Sequence, residues 1–373
     1  MSSSVELTWP QVHAFRLQRH HLTRRAPKKD LARVVGEIGG AQAQLMSAAE
    51  LQIAARVDCT VADVRRALWT DRSLVKTWLM RGTLHLTRGE DLPVYAAAMS
   101  RRWIRINNSW LKFVQVTEPE LWKLVDDIGA ALNGTPMSRE ELIAIVGKGK
   151  PERVHHALRS GWGGMLKPAA RNGRLCFGPS RGQKVTFVNP RQWLHSWREV
   201  DPEVAVVEAA RRYLRVYGPA TKTDFSRWWG NWPGVANAAW SGLAGELVPV
   251  KVGGARLDAL AADIDVMTRA RSDRPVHLLS LFDTYLMGHA TRDHLFDRVH
   301  APRVSRTAGW ISAVVLVDGA VAGTWTHTLA KGALRIEVES FQRLKPDVSS
   351  EIRKRATEMA RALDAKTVEV AFA

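Results

Sequence analysis

Two glutamines, Gln42 and Gln44, stand two residues apart in the peptide Gly39-Gly40-Ala41-Gln42-Ala43-Gln44-Leu45. A carboxamide carries a carbonyl that accepts hydrogen bonds and an amino group that donates them, so it can orient a water molecule without changing charge. Backbone form decides whether two of them can act together. In a helix interior, positions i and i+2 face nearly opposite ways. In an extended segment or at the start of a helix they can point to the same side. On composition alone the favoured reading is two surface glutamines on a polar helix. No lysine lies in or beside the peptide; the nearest are Lys28, Lys29 and Lys76. Cys59 and Cys176 sit in no CxxC or His-rich pattern, so neither structural zinc nor any other metal is expected.

The elements that must position these residues begin with helices. Thr8-Trp9-Pro10 predicts a capped helix with apolar Val12, Phe15 and Leu22. Asp30 is expected to cap a second helix, Leu31 to Ile38, that Gly39-Gly40 ends. Leu45 to Val57 and Thr60 to Leu68 follow as helices. Ser73–Leu79 and Thr83–Thr87 alternate and are β-branched, which predicts two strands about a turn at Arg81-Gly82.

That layout, three helices and then a hairpin, is a winged helix, and it recurs. Helices are expected at 118–132, 138–146 and 151–160, with strands near 171–177 and 184–188. A third set has helices at 202–216, 222–229 and 235–243, and a hairpin turning at Gly253-Gly254. Each set has a Gly-x-Leu approach to its hairpin: Gly82-Thr83-Leu84, Gly173-Arg174-Leu175 and Gly245-Glu246-Leu247. Beyond residue 270, Asp318-Gly319 joins two apolar runs as a tight hairpin, and a basic helix at 348–363 precedes a last strand at 367–372. The expectation is a mostly α protein with β (α+β). It has winged-helix units at 1–115, 116–200 and 201–268, and a β-rich, barrel-like domain at 269–373.

The chain has 373 residues, with 54 Lys+Arg against 37 Asp+Glu and a net charge of +17. The excess is uneven: residues 1–200 carry +14, and 151–198 hold nine basic residues against Glu152 alone. Such an imbalance favours a nucleic-acid face over a merely solvated surface. A hydrophobic fraction of 46% excludes long disorder. The N-terminus lacks a signal peptide's apolar core, and the most apolar stretch, 311–325, is too short to span a bilayer. A soluble, cytoplasmic protein without a membrane partner is expected. Three winged units in one chain could wrap a duplex without a dimer, so a monomer is expected.

The peptides Gln42-Ala43-Gln44, Met80-Arg81-Gly82-Thr83-Leu84-His85-Leu86 and Leu281-Phe282-Asp283-Thr284-Tyr285-Leu286-Met287-Gly288, with Arg292 behind, resemble the AlkZ/YcaQ family of winged-helix bacterial DNA glycosylases. The resemblance runs from about Trp9 to the last strand. It implies three tandem winged helices around a basic concave surface and a catalytic role for Gln42 and Gln44. The YcaQ branch has Gln-x-Asp at this place, so Gln44 puts the chain nearer the AlkZ branch, associated with bulky adducts and crosslinks made by genotoxic natural products. Relatives also carry a β-hairpin into DNA, matched here to the basic segment His289–Arg306.

Two uncharged amides suit this chemistry. A guanine alkylated at N7 is already cationic and leaves as a neutral base without a proton donor, unlike the leaving group of an ordinary glycosidase. A water must then be placed and an oxocarbenium-like sugar stabilised, and amide dipoles do both. Without an amine near the sugar, a monofunctional hydrolase is expected, needing no cofactor. Arg81, His85, His289, Arg292, Arg303 and Arg306 are the candidate DNA contacts. His85 and Arg81 have structural alternatives, a hydrogen bond and a turn cap. Asp283 is expected to orient Arg292 or His289, or to be an ordinary structural carboxylate. The rival reading is a non-catalytic DNA-binding transcriptional regulator; an RNA-binding repair accessory is weaker.

Overall fold

The structure, a computed structural model, describes residues 5–104, 106–161, 163–272 and 276–373. It is a mixed α/β protein of two compact units. One runs from the N-terminus to Arg65 and resumes over Ala210–Ala373; the other is Arg66–Ala209.

In the first unit, local signals set the helices. Thr8 caps Trp9–Arg19: its hydroxyl accepts from the Gln11 N–H while the Gln11 side chain takes the Thr8 N–H at 2.8 Å. The helix buries Val12, Phe15 and Leu17. Thr60 and Asp63 make the same reciprocal exchange, at 3.2 and 2.9 Å. Asp30 differs from expectation. Its carboxylate bonds no backbone N–H of Leu31–Glu37 and instead takes Arg33 at 3.0 Å. The helix expected over 45–57 is shorter, Met46–Ala54.

Two sheets belong to this unit. Leu247–Val252 pairs antiparallel with Ala255–Leu260 across Gly253-Gly254, and Val5–Leu7 joins in parallel, with Val5 opposite Val250. The larger sheet orders Val276–Leu279, Val314–Val317, Ala320–Ala330, Ala333–Ser340 and Thr367–Phe372, the last pair parallel. Helix Pro346–Ala362 packs Ile352 and Ala356 against Val276, Leu278 and Ile336.

The second unit holds the hairpin Leu74–Trp78 with Leu84–Arg88, and a sheet of Met137–Ser138, Lys184–Val188 and Cys176–Arg181. Helices Glu118–Ala131 and Arg139–Val146 are each closed at the start by a capping box, Thr117 with Glu120 and Ser138 with Glu141. Their core is Leu121, Ile128, Leu142, Trp78, Phe177 and Phe187.

Three expectations need correction. No closed barrel forms among the described residues: the five-stranded sheet is open, with Val276–Leu279 at one edge and Thr367–Phe372 at the other. Closure demands a strand tilt and stagger; here one helix covers a face instead. Segment 289–306 is no β-hairpin. It makes turns at Arg298–His300 and Ala301–Val304, with one bridge from Ser305 to Ile311, and Pro302 favours a turn over a ladder. The Gly-x-Leu tripeptides do not occupy matching places. Gly82 lies in the turn between two strands at φ +67°, whereas Gly173 and Gly245 precede the first strand of theirs.

Candidate active site

The glutamine peptide is fixed at both ends. Helix Leu31–Glu37 stops, and Gly39 and Gly40 take φ of +75° and +91°, values that glycine reaches without a Cβ clash. At Gly39 a Cβ would also lie 3.3 Å from the Trp228 ring. Just before this turn the Ile38 carbonyl meets the Tyr217 hydroxyl at 3.2 Å and the Thr284 hydroxyl at 3.4 Å, and these two hydroxyls bond each other at 2.6 Å. Gly288 is needed here as well, because any Cβ would run into the Tyr217 ring at 2.1 Å. The chain then extends through Ala41–Gln42 and enters Met46–Ala54.

Gln42 ends the strand, Gln44 lies in the bend that follows, and the two glutamines differ. Gln42 is 4% exposed, while Gln44 is open to solvent. The peptide is therefore neither a surface helix nor a sealed pair: one glutamine is buried and the other exposed. The Gln42 main-chain carbonyl, not its side chain, accepts from Gln52 Nε2 at 3.2 Å, and the same Nε2 lies 3.3 Å from the Leu281 main-chain carbonyl. Arg56 donates to the Gln52 carbonyl at 2.9 Å and grips Asp283 with two bonds of 2.9 and 2.7 Å. Both members of this ion pair are fully buried. Ser280 adds a bond to the Ala48 carbonyl at 2.8 Å. The Leu281–Gly288 peptide thus seats the helix that follows the doublet, and through Thr284 it also meets the turn that precedes it.

Asp283 orients neither Arg292 nor His289; its oxygens go to Arg56 and to the Tyr285 N–H at 2.9 Å. His289 instead accepts from Arg16 at 2.7 Å, and His294 does so at 2.9 Å. Arg16 is 3% exposed and also donates to the Gly218 and Pro219 carbonyls. An imidazole nitrogen that accepts from a guanidinium must be neutral. Burial, then Arg16, drives His289 well below its usual range and His294 to about 2. Arg292 donates to the Leu286 carbonyl at 2.6 Å and to Ser305 at 3.3 Å, which pins the turn. Both residues are thus bonded within the fold while remaining partly exposed.

Arg303 pairs with Glu339 and lies over the Phe341 ring at 4.8 Å, partly exposed. Arg306 is exposed. In the second unit, Arg81 takes φ +55° in the hairpin turn and is partly exposed. His85 is 2% exposed, its Nδ1 donates to the Thr83 carbonyl at 3.0 Å, and burial with Arg81 lowers it to about 3. The structural alternative for His85 is the one that its geometry fits. Among the described residues, no group of three or more His, Cys, Asp and Glu is placed to hold a metal ion, and no helix is long and apolar enough to cross a membrane.

Sequence reasoning missed Gln52, Arg56 and Arg16. A signal was present for the first two: Gln52 and Arg56 stand four apart, with Gln52 inside the apolar run Leu51–Ala54, and a polar group there must find partners.

The chain is similar to known DNA glycosylases. A family model described as DNA glycosylase AlkZ-like matches residues 35–362. The interstrand DNA cross-link repair glycosylase of Streptomyces sahachiroi is 36% identical over 330 residues, covering 86% of this chain and 88% of that protein. The solved structure of the Streptomyces sahachiroi DNA glycosylase AlkZ superposes with a TM-score of 0.88 at 33% identity, over 99% of this chain and 100% of that one.

Proposed function

Since the chain belongs to the AlkZ-like DNA glycosylase family, we propose that it hydrolyses the N-glycosidic bond of cationic N7-alkylguanine in duplex DNA. Bulky adducts and interstrand crosslinks are included, by analogy with the cross-link repair named for its Streptomyces relative. The observation that carries the reading is the asymmetric doublet: an exposed Gln44 beside a buried Gln42, on a peptide held at both ends.

In this mechanism the Gln44 amide accepts from a water and holds it toward C1′. The C1′–N9 bond breaks and its electron pair neutralises the purine cation. The water oxygen bonds to C1′, and its proton passes to solvent. Gln42 supplies a fixed dipole at the sugar's developing positive charge. An amide is too weak a base to act on an uncharged nucleotide, so lesion charge sets selectivity. With no amine enlisted, strand cleavage does not accompany base loss. Arg81, Arg303 and Arg306 meet phosphates, while His85, His289 and Arg292 hold the walls. The enzyme acts as a cytoplasmic monomer. The helix-and-hairpin sets over 1–115, 116–200 and 201–268 serve as winged-helix units, with 269–373 as the C-terminal domain.

Incubation with duplex DNA containing 7-methylguanine tests this against a regulator. The enzyme leaves abasic sites and free base; a regulator leaves neither. Gln42→Ala and Gln44→Ala each reduce the single-turnover rate by about 10²-fold without loss of DNA binding. Wild-type rates in both variants would reject the assigned site.

A further inference from the structure

We propose that Gln52 is a positioning residue for the reaction, acting through Gln42. This rests on the reading of the glutamine doublet given above and names a residue behind it.

Gln52 is fully buried within Met46–Ala54. The atoms facing its amide nitrogen are the carbonyl oxygens of Gln42, at 3.2 Å, and Leu281, at 3.3 Å. Both are acceptors, so the amide cannot be turned over without setting oxygen against oxygen. One Nε2 group with two hydrogens therefore ties the glutamine peptide to the segment that leads into Asp283. The helix that carries the tie is itself anchored, since Arg56 holds the Gln52 main-chain carbonyl at 2.9 Å and the buried Asp283 carboxylate with two bonds. The fixed orientation carries a cost: Gln52 Oε1 is buried without a hydrogen-bond partner. An apolar residue of its size would take the donor from two main-chain carbonyls but also remove the bare amide oxygen, so the glutamine contributes little net stability. What the glutamine supplies is a fixed Gln42 carbonyl, and through it the direction of the Gln42 side chain. A displacement of about 1 Å at such a group is enough to cost up to about 10²-fold in rate.

Gln52→Met tests this, since methionine has the same length and removes both the donor and the bare oxygen. Base release from 7-methylguanine DNA under single-turnover conditions is read together with the enzyme concentration giving half the maximal rate and the urea midpoint. The maximal rate is expected to fall about tenfold, equivalent to about 1.4 kcal/mol. The half-saturating concentration stays within twofold and the midpoint does not drop. A double-mutant cycle adds the decisive readout. In the Gln42→Ala background there is no side chain left to aim, so Gln52→Met costs nothing further.

A wild-type maximal rate in Gln52→Met, beside a crippled Gln42→Ala, overturns the positioning role and leaves the doublet standing. A fall in rate accompanied by a lowered midpoint, or by an undiminished loss in the Gln42→Ala background, makes Gln52 structural and also overturns it. Wild-type rates in Gln42→Ala and Gln44→Ala overturn both readings together.

Discussion

An amide side chain neither gains nor loses a proton near neutrality, and that property separates Gln42 and Gln44 from the usual general bases. Three histidines are held out of titration as well. Burial takes His13 to about 4 and His294 to about 2, in both cases with help from the Arg16 charge. His85 is lowered to about 3 in the same way beside Arg81. All three remain neutral throughout pH 6–8. The maximal single-turnover rate of base release is therefore expected to be flat over that range, measured with the DNA saturated by enzyme. A rise with an apparent pKa near 6.5 would transfer the base role to a histidine and away from the amides.

At the scale of elements, the active-site candidate depends on how Leu281–Gly288 docks onto the helix Met46–Ala54 and the turn at Gly39-Gly40. The Arg56–Asp283 pair is the strongest of these connections, because both charges are fully buried and the geometry is bidentate. Removing one partner strands the other, at a cost of about 3–5 kcal/mol. Arg56→Met is expected to lower unfolding stability by that amount in urea titrations. Adding Asp283→Asn should recover part of it, since the carboxylate charge is gone and the Tyr285 N–H keeps an acceptor. If the double variant loses as much as the two single losses added together, the residues are not acting as a pair. This docking also marks where sequence stopped being informative. The helix starts at Thr8 and Thr60 were readable because their signals are local, a proline two residues after Thr8 and Asp63 three residues after Thr60. The Gln doublet and the Asp283 peptide were visible as resemblance. Asp283 finding Arg56 across 227 positions was not visible, and neither was His289 finding Arg16, because both pairings are made by tertiary packing. The misplaced hairpin over 289–306 has the same origin: its basic composition was legible, but Arg292 turning inward to the Leu286 carbonyl was not.

Over the whole molecule, charge has two separate consequences. The first concerns DNA. A net charge of +17, with most of it before residue 201, predicts phosphate neutralisation as the main source of affinity. Log affinity for undamaged duplex should fall linearly with log salt, at roughly 0.9 per phosphate contacted. Arg306→Ala, at an exposed position, should reduce that slope by about one. The second concerns folding. His13, His20 and His85 are all buried, and burial lowers each of them. In the unfolded chain they titrate near 6.5. Below that pH the unfolded state takes up protons that the folded state refuses, so stability is full above about 6.5 and declines as pH falls toward the folded values. Each histidine contributes at most about 1.4 kcal/mol per pH unit in this window. Between pH 6.5 and 5 the lowered histidines set the sign of this slope, while Asp263, raised by burial, works against it. The urea midpoint is expected to fall steadily across that interval. His13→Phe, which also removes a buried Nε2 without a hydrogen-bond partner, should flatten the fall by one residue's share. A midpoint that stays level from pH 7 to 5 would mean that these rings accept protons inside the fold, and the flat rate profile would lose its basis with them.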